Sequence, residues 1–497
     1  MRYASIVLLG GLLAGAAQAD PRFDLMEALP SPHVYDGGWE HFVGGGVATF
    51  DCNGDDLPEV FMAGGTNPAA LYLNRGGFRF ERGDFEPETG VTGAYPLDID
   101  GDGHLDLAVL RVGENHLYRG LGGCQFALAN DEWGFDGGTA WSTAFSATWE
   151  QGAEWPTLAV GNYVDREDPD GPFGTCDDNA LYRPEGRRFG PPHVLTPGFC
   201  ALSMLFSDRG RDGPADLRIS NDRHYYLRDG HEQLLSLSDL DWLSEDDGWQ
   251  RISIWGMGIA SRDITGDARP EVMLTSMGDQ LLQIARPDGG YDQAPYDIGT
   301  YAQRPFLGDD GRPSTGWHAE FGDIDNDGRD DLFIAKGNVD QMPSNASYDP
   351  NNLLMQTADS QFEEAGNSAG VASTARSRGA ALADLDLDGR LDLIVVNRRA
   401  PAEMYRNLSE AGNWIAVRPR QAGPNRDAVG ARVEVRLPGK NMVQEITVGG
   451  GHVSGSLLPR HFGLGNAAKV EVRVRWPDGT HSAWQNVDAN TRIDLVR

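Results

Sequence analysis

Asp323-Ile324-Asp325-Asn326-Asp327-Gly328-Arg329-Asp330-Asp331-Leu332-Phe333-Ile334-Ala335-Lys336 is the stretch that decides the fold. Counted from Asp323, it sets carboxylates at positions 1, 3, 5 and 9 (Asp323, Asp325, Asp327, Asp331) and a glycine at 6 (Gly328). Alternate residues of a tight loop converge on one point. A ring of hard oxygens there suits a hard divalent cation, calcium best, with the backbone carbonyl of position 7 (Arg329) as a further ligand. Glycine at 6 permits the sharp turn that a Cβ would resist. Position 12, where an EF-hand carries a bidentate glutamate, is Ile334, and Leu332 to Ala335 is a short apolar run with strand character. The unit reads as strand, metal loop, strand.

The unit recurs along the chain. Asp98, Asp100, Asp102 and Asp106, with the carbonyl of His104, form a complete copy, as do Asp384, Asp386, Asp388 and Asp392 with that of Arg390. Asp51, Asn53, Asp55 and Glu59 (carbonyl of Leu57) and Asp263, Thr265, Asp267 and Glu271 (carbonyl of Arg269) are softer copies that keep an oxygen at each ligand position. A copy starting at Asp208 has lost position 3, and one starting at Trp149 keeps the strand but not the ligands. The starts at 51, 98, 149, 208, 263, 323 and 384 are spaced by 47, 51, 59, 55, 60 and 61 residues. Hairpin-like segments follow the loops at Leu71-Tyr72, Leu117-Tyr118, Leu181-Tyr182, Tyr225-Tyr226 and Met404-Tyr405. About four short strands per period, seven times over, predicts an all-β, seven-bladed β-propeller with about five structural calcium ions.

The repeats resemble the FG-GAP (VCBS-like) repeats of integrin α-chain propellers. Near the C-terminus Gly430-Ala431-Arg432-Val433, Gly449-Gly450-Gly451-His452-Val453-Ser454, His461-Phe462-Gly463-Leu464-Gly465 and Trp476-Pro477-Asp478-Gly479 follow in the order of an ASPIC/UnbV domain. Propeller plus ASPIC/UnbV is similar to the layout of the CRTAC (cartilage acidic protein-like) family, over about residues 37 to 497. The chain departs from the family's frequent Ser-Gln with Ser454-Gly455. Expected divisions are a signal peptide at 1–19, an N-terminal arm at 20–36, the propeller at 37–408 and the ASPIC/UnbV β-domain at 413–497.

Residues 1–19 have the charge, apolar core and Ala17-Gln18-Ala19 ending of a secretory signal cleaved after Ala19, too short to span a bilayer. A periplasmic or secreted protein is therefore expected. Four cysteines suit that compartment as two disulfides, and of the three possible pairings Cys176–Cys200 with Cys52–Cys124 is favoured. The net charge of −32 argues against nucleic acid and anionic membranes as partners. Its spread is uneven: residues 413–497 hold 12 Lys/Arg against 7 Asp/Glu. Turn-rich stretches at 165–190, 302–313 and 339–352 read as loops on one propeller face.

No H-E-x-x-H, G-x-S-x-G, P-loop or dinucleotide fingerprint is present. Ser454 sits one place off a nucleophile elbow, and His461 reads as a strand-end residue rather than a base. Trp317 and His318 read as packing beside the channel, and no catalytic residue is assigned. The first functional expectation is a monomeric, non-catalytic scaffold for a protein or glycan partner. Its alternatives are an extracytoplasmic polysaccharide lyase or hydrolase with a pocket on the propeller face, and an accessory protein for assembly or export of another product.

Overall fold

The computed structural model describes residues 20–497 except 169–173, 211–212, 214, 223–228, 302–314 and 340–347. The proposed signal peptide lies outside the described residues. Seven antiparallel sheets follow one another along the chain, and their innermost strands are Val47–Phe50, Val91–Leu97, Ser142–Thr148, Ala201–Ser207, Gly256–Arg262, Gly316–Gly322 and Ser377–Ala383. These strands are almost wholly buried, which is why they read as runs of small and apolar residues and not as alternation. Apolar clusters bridge neighbouring blades, as Phe321, Leu332 and Ile334 of blade six do with Met273 and Leu282 of blade five. This is the seven-bladed β-propeller that the repeats predict.

The seventh blade takes three strands from its own repeat and the fourth from the N-terminal arm. Phe23–Leu25 pairs antiparallel with Glu403–Asn407, Phe23 opposite Asn407 and Leu25 opposite Tyr405. Ring closure thus falls to three residues of a segment that reads only as a lead-in. The hairpin expected at Tyr225-Tyr226 lies outside the described residues; the third and fourth described strands of blade four are Gln233–Ser236 and Asp241–Trp242. The turn-rich stretch at 165–190 likewise contains a strand, Asn179–Tyr182, the third of blade three.

Two more sheets complete the chain: Arg460–Gly465, Asn413–Arg420 and Thr491–Val496 in one, and Lys440–Glu445, Arg432–Leu437, Lys469–Arg475 and Gln485–Asp488 in the other. Alternate residues (Val433, Val435; Val470, Val472, Val474) face inward onto Ile415, Val417 and Phe462. That core runs without a break into Tyr95, Leu97 and Phe145 of blades two and three. The C-terminal sheets are seated on the propeller over the acidic loops.

Candidate metal centres and the filled channel

Each loop joins the first and second strands of its blade, and one backbone pattern recurs in all five acidic copies. The N–H of position 6 donates to the position 1 carboxylate: Asp56 to Asp51, Gly103 to Asp98, Ala268 to Asp263, Gly328 to Asp323 and Gly389 to Asp384, at 2.7–3.1 Å. The N–H of position 7 (Leu57, His104, Arg269, Arg329, Arg390) donates to position 5 (Asp55, Asp102, Asp267, Asp327, Asp388). Position 6 is left-handed throughout, even where the residue is Asp56 (φ 67°) or Ala268 (φ 65°). Position 4 is left-handed as well, with Gly54, Gly101 and Gly266 in three loops and Asn326 and Leu387 in the others. The glycines at position 4 are a signal that a reading centred on position 6 overlooks.

The position 9 acid opens the second strand and ties the loop to the third. Asp331 accepts the N–H of Ile324 at 2.9 Å and of Gln356 at 2.8 Å. Asp106 does the same with Ile99 and Gly120, and Asp392 with Leu385 and Asn407.

Three loops gather carboxylates close enough to share a metal ion: Asp98, Asp100 and Asp106; Asp323, Asp325 and Asp331; Asp384, Asp386 and Asp392, with ligand atoms within 4.8 Å of one another in each. Buried oxygens in all three (Asp98 Oδ1, Asp325 Oδ1, Asp384 Oδ1, Asp386 Oδ1) have no hydrogen-bond partner among the described residues. Burial, then the charge of Asp427, pushes Asp98 up to about 7, and burial, then repulsion from Asp331, holds Asp323 well above the usual carboxylate range. Burial also raises Asp106, Asp331 and Asp392. Orphaned, crowded carboxylate oxygens fit a hard cation. The position 5 acids stand outside these groups. Asp327 pairs with Arg329 and Asp388 with Arg390, while Asp102 accepts the His104 N–H.

The softer loops gather no such cluster. Asn53 Nδ2 donates to Glu59 at 3.1 Å, and Thr265 Oγ1 lies 3.4 Å from Glu271, so position 3 bonds directly to position 9. In the two decayed loops arginine stands in the gap. Arg209 Nε donates to Asp216 at 2.5 Å, and Arg475 approaches Asp208 at 3.2 Å. In blade three Arg183 grips Glu150 with both nitrogens, at 2.7 and 3.0 Å.

The excess positive charge of the C-terminal sheets faces this acidic end. Arg492 pairs with Asp384 at 2.7 Å, Arg418 reaches Asp51 and Asp56, Arg426 lies 3.8 Å from Asp98, and Lys440 donates to the Gly328 carbonyl. His461 Nε2 meets Asn326 Oδ1 at 2.7 Å and stacks on Trp414, a packing role.

The channel is filled by residues 446–457. Val448 bridges to Ala147 of blade three, Gly449 to Leu205 of blade four, Gly451 to Ile259 of blade five, and Ser454 to Ala94 of blade two. Gly455–Leu457 adds as a parallel strand to Val47–Phe50 of blade one. The His452 N–H donates to His318 Nδ1 of blade six at 3.1 Å, and Ser454 Oγ lies against Gly379 of blade seven. All seven blades touch it. A Cβ at Gly46 or Gly93 would fall 1.8 or 2.1 Å from the Val453 carbonyl, so only glycine admits the segment. His452 is fully buried, accepts the Gly44 N–H at 3.2 Å, and packs on Trp317. Burial and the charge of Arg378 push it down to about 3. Ser454 Oγ donates to the His452 carbonyl and accepts the Val47 N–H, so it serves as a brace in the plug.

The disulfides are Cys52–Cys124, between blade one's loop and blade two's outer hairpin, and Cys176–Cys200. Among the described residues no helix is long and apolar enough to cross a membrane.

Comparison with known proteins agrees with this architecture. The FG-GAP-like repeat family matches residues 51–109 and 323–395, and the ASPIC and UnbV family matches 421–497. The protein is a β-propeller of FG-GAP-like repeats ending in an ASPIC and UnbV domain. Cartilage acidic protein 1 of Mus musculus is 30% identical over 162 residues, which cover 32% of this chain and 25% of that protein. The Homo sapiens protein of that name is 30% identical over 162 residues, 24% of its length. The similarity to cartilage acidic protein 1 is confined to that segment, and the match spans only about a quarter of the length of those relatives. Among solved structures, BBS1N in complex with ARL6DN is similar with a TM-score of 0.45 and 10% identity over 77% of this chain and 97% of that one. YCF48 bound to D1 peptide has a TM-score of 0.44 and 8% identity over 79% and 99%.

Proposed function

We propose that the protein is an exported, calcium-stabilised propeller that serves as a non-catalytic scaffold for a protein or glycan partner, with divisions at 1–19, 20–36, 37–408 and 413–497. The observation that carries the scaffold reading is the filled axis: residues 446–457 occupy the channel mouth where an enzyme of this fold would seat a substrate. Calcium is supported by the three carboxylate clusters and their orphaned oxygens. Asp98, Asp100 and Asp106, Asp323, Asp325 and Asp331, and Asp384, Asp386 and Asp392 would hold it, with the position 7 carbonyls of His104, Arg329 and Arg390. The loops at Asp51 and Asp263, whose position 3 groups bond to position 9, would fill at higher concentration to give five. A bound ion supplies fixed positive charge at the loop centre, and the protein's part is to hold its ligands to the second and third strands. The test is thermal melting with calcium and with EDTA, followed by a glycan array and a polysaccharide-turnover assay. Calcium-dependent melting with binding but no turnover is expected. New reducing ends or unsaturated products would overturn the scaffold reading, and melting indifferent to EDTA would overturn the calcium.

A further inference from the structure

Three cavities that share lining residues lie where the axial segment meets the C-terminal sheets. One of about 110 Å³ lies between residues 447–456 and the inner strands of blades four to seven, and two of about 70 and 60 Å³ lie between the C-terminal sheets and the acidic-loop end of the propeller. Two guanidinium groups line all three. Arg262 ends the inner strand of blade five, and Arg460 opens the strand that follows the channel segment. Arg460 has one hydrogen bond, Nη2 to the Thr447 carbonyl at 3.5 Å, and its Nε is sealed from solvent without a partner. No ion pair joins it to a carboxylate among the described residues. Arg262 donates Nη2 to the Phe321 carbonyl at 3.0 Å and keeps its Nε 3.8 Å from Asp330, yet Nε and Nη1 are buried without hydrogen bonds. Asp263, Asp384 and Glu445 also line these cavities and are hydrogen-bonded or paired within the protein, Asp263 to the Gly266 and Ala268 N–H groups, Asp384 to Arg492 and Glu445 to Ser207 and the Asp208 N–H, and so is Glu320. It accepts the Leu382 N–H at 3.0 Å and faces His318 at 3.4 Å.

This arrangement runs against the usual economy of interiors, where a buried charge is paired. Here two guanidinium groups face one another across the cavities, and burial together with the Arg262 charge, partly offset by Glu320 and Glu445, pushes Arg460 down to about 10. Unsatisfied guanidinium N–H groups converging on a void are the donor set that planar and tetrahedral oxyanions accept, often bidentately. The void is far below the roughly 300–1,000 Å³ of an ordinary ligand pocket, which excludes a sugar chain or peptide and leaves a small ion. We infer that Arg262 and Arg460 form a binding site for a small oxyanion, a sulfate- or phosphate-like group or a carboxylate, that cements the C-terminal sheets to blades five to seven.

The test uses the full chain in calcium buffer at fixed ionic strength, titrated calorimetrically with sulfate and with acetate and melted in each against chloride. The expected result is saturable, one-to-one binding of at least one of them and a higher melting temperature than in chloride; which one binds separates the tetrahedral from the carboxylate ligand. Arg460→Met should lose at least about tenfold in affinity, a 1.4 kcal/mol change. In chloride it should melt no lower than the parent, because the substitution removes an unpaired charge. Arg460→Lys, which keeps the charge and loses the fork, should retain weakened binding and guards against failure of the methionine variant to fold. Melting identical in all three salts, or binding unchanged in both variants, would overturn the site.

Discussion

In blade six, Asp323, Asp325 and Asp331 crowd together with a buried oxygen that has no hydrogen-bond partner among the described residues. In blade four the equivalent place is held by Arg209 against Asp216, with Arg475 and Arg432 closing on Asp208 from the C-terminal sheets. Blade three does the same with Arg183 and Glu150. One loop scaffold therefore offers two ways to meet its negative charge, by a cation that would bind reversibly or by one covalently part of the chain. Blade seven, where Arg492 and Arg406 reach Asp384 and Asp386, stands between them. A guanidinium cannot be titrated or chelated away. Blades three and four should thus be indifferent to calcium, while blades two, six and seven should depend on it.

The largest effect tests that division directly. With free calcium at about ten times Kd each site adds about 1.4 kcal/mol, so stripping three sites should cost about 4 kcal/mol. Hydrogen exchange should quicken at residues 98–106, 323–331 and 384–392 and stay slow around Thr157 and Asp216. Uniform acceleration in all blades would erase the distinction. Next, Arg209→Met removes the guanidinium that donates to Asp216 in a partly buried pair, and should cost about 1–2 kcal/mol whether or not EDTA is present. Asp331→Asn should instead shrink the EDTA-induced loss by about a third, measured as the difference between two melts.

A third effect belongs to neither class of blade. His452 sits among Trp317, His318 and Arg378 and is held neutral, its pKa pushed from an unfolded value of 6.5 to about 3. A histidine depressed in the folded state gives stability that is whole above 6.5 and is lost as pH falls toward 3. The expected slope is about 1.4 kcal/mol per pH unit below 6.5, and His452→Gln should flatten it in parallel acid titrations. Smallest of all, Arg426→Ala removes a mostly exposed charge 3.8 Å from Asp98. It should change stability by less than about 0.5 kcal/mol while tightening calcium in blade two at low salt.

The repeat carries most of what the sequence discloses. A carboxylate at every second position and a strand behind it are local patterns, so the seven blades and the three clusters among their loops can be read residue by residue. The pairings that finish the molecule join residues hundreds of positions apart and leave no periodic trace. Phe23–Leu25 has no more strand signal than its neighbours until Glu403–Asn407 offers it an edge. Gly449 to Ser454 reads as a turn on a small β-domain because the seven strands that receive it are scattered over the chain. The arginine of blade three was equally hidden: Arg183 lies 33 residues from Glu150, and no spacing rule links them.

The closing strand and the axial segment also set an order of events. The Arg22 N–H and the Ser409 hydroxyl that ends the seventh blade are 387 residues apart, so a chain emerging amino-terminus first must hold its opening strand unpaired until nearly the whole ring has been made. The axis stays hollow longer still, because the glycines that line it wait for Val453. Contacts of such long sequence separation close slowly. A newly made molecule should therefore pass through a stage as an open, edge-exposed crescent, which Glu403–Asn407 closes by receiving Phe23–Leu25 and residues 446–457 then seal along the axis.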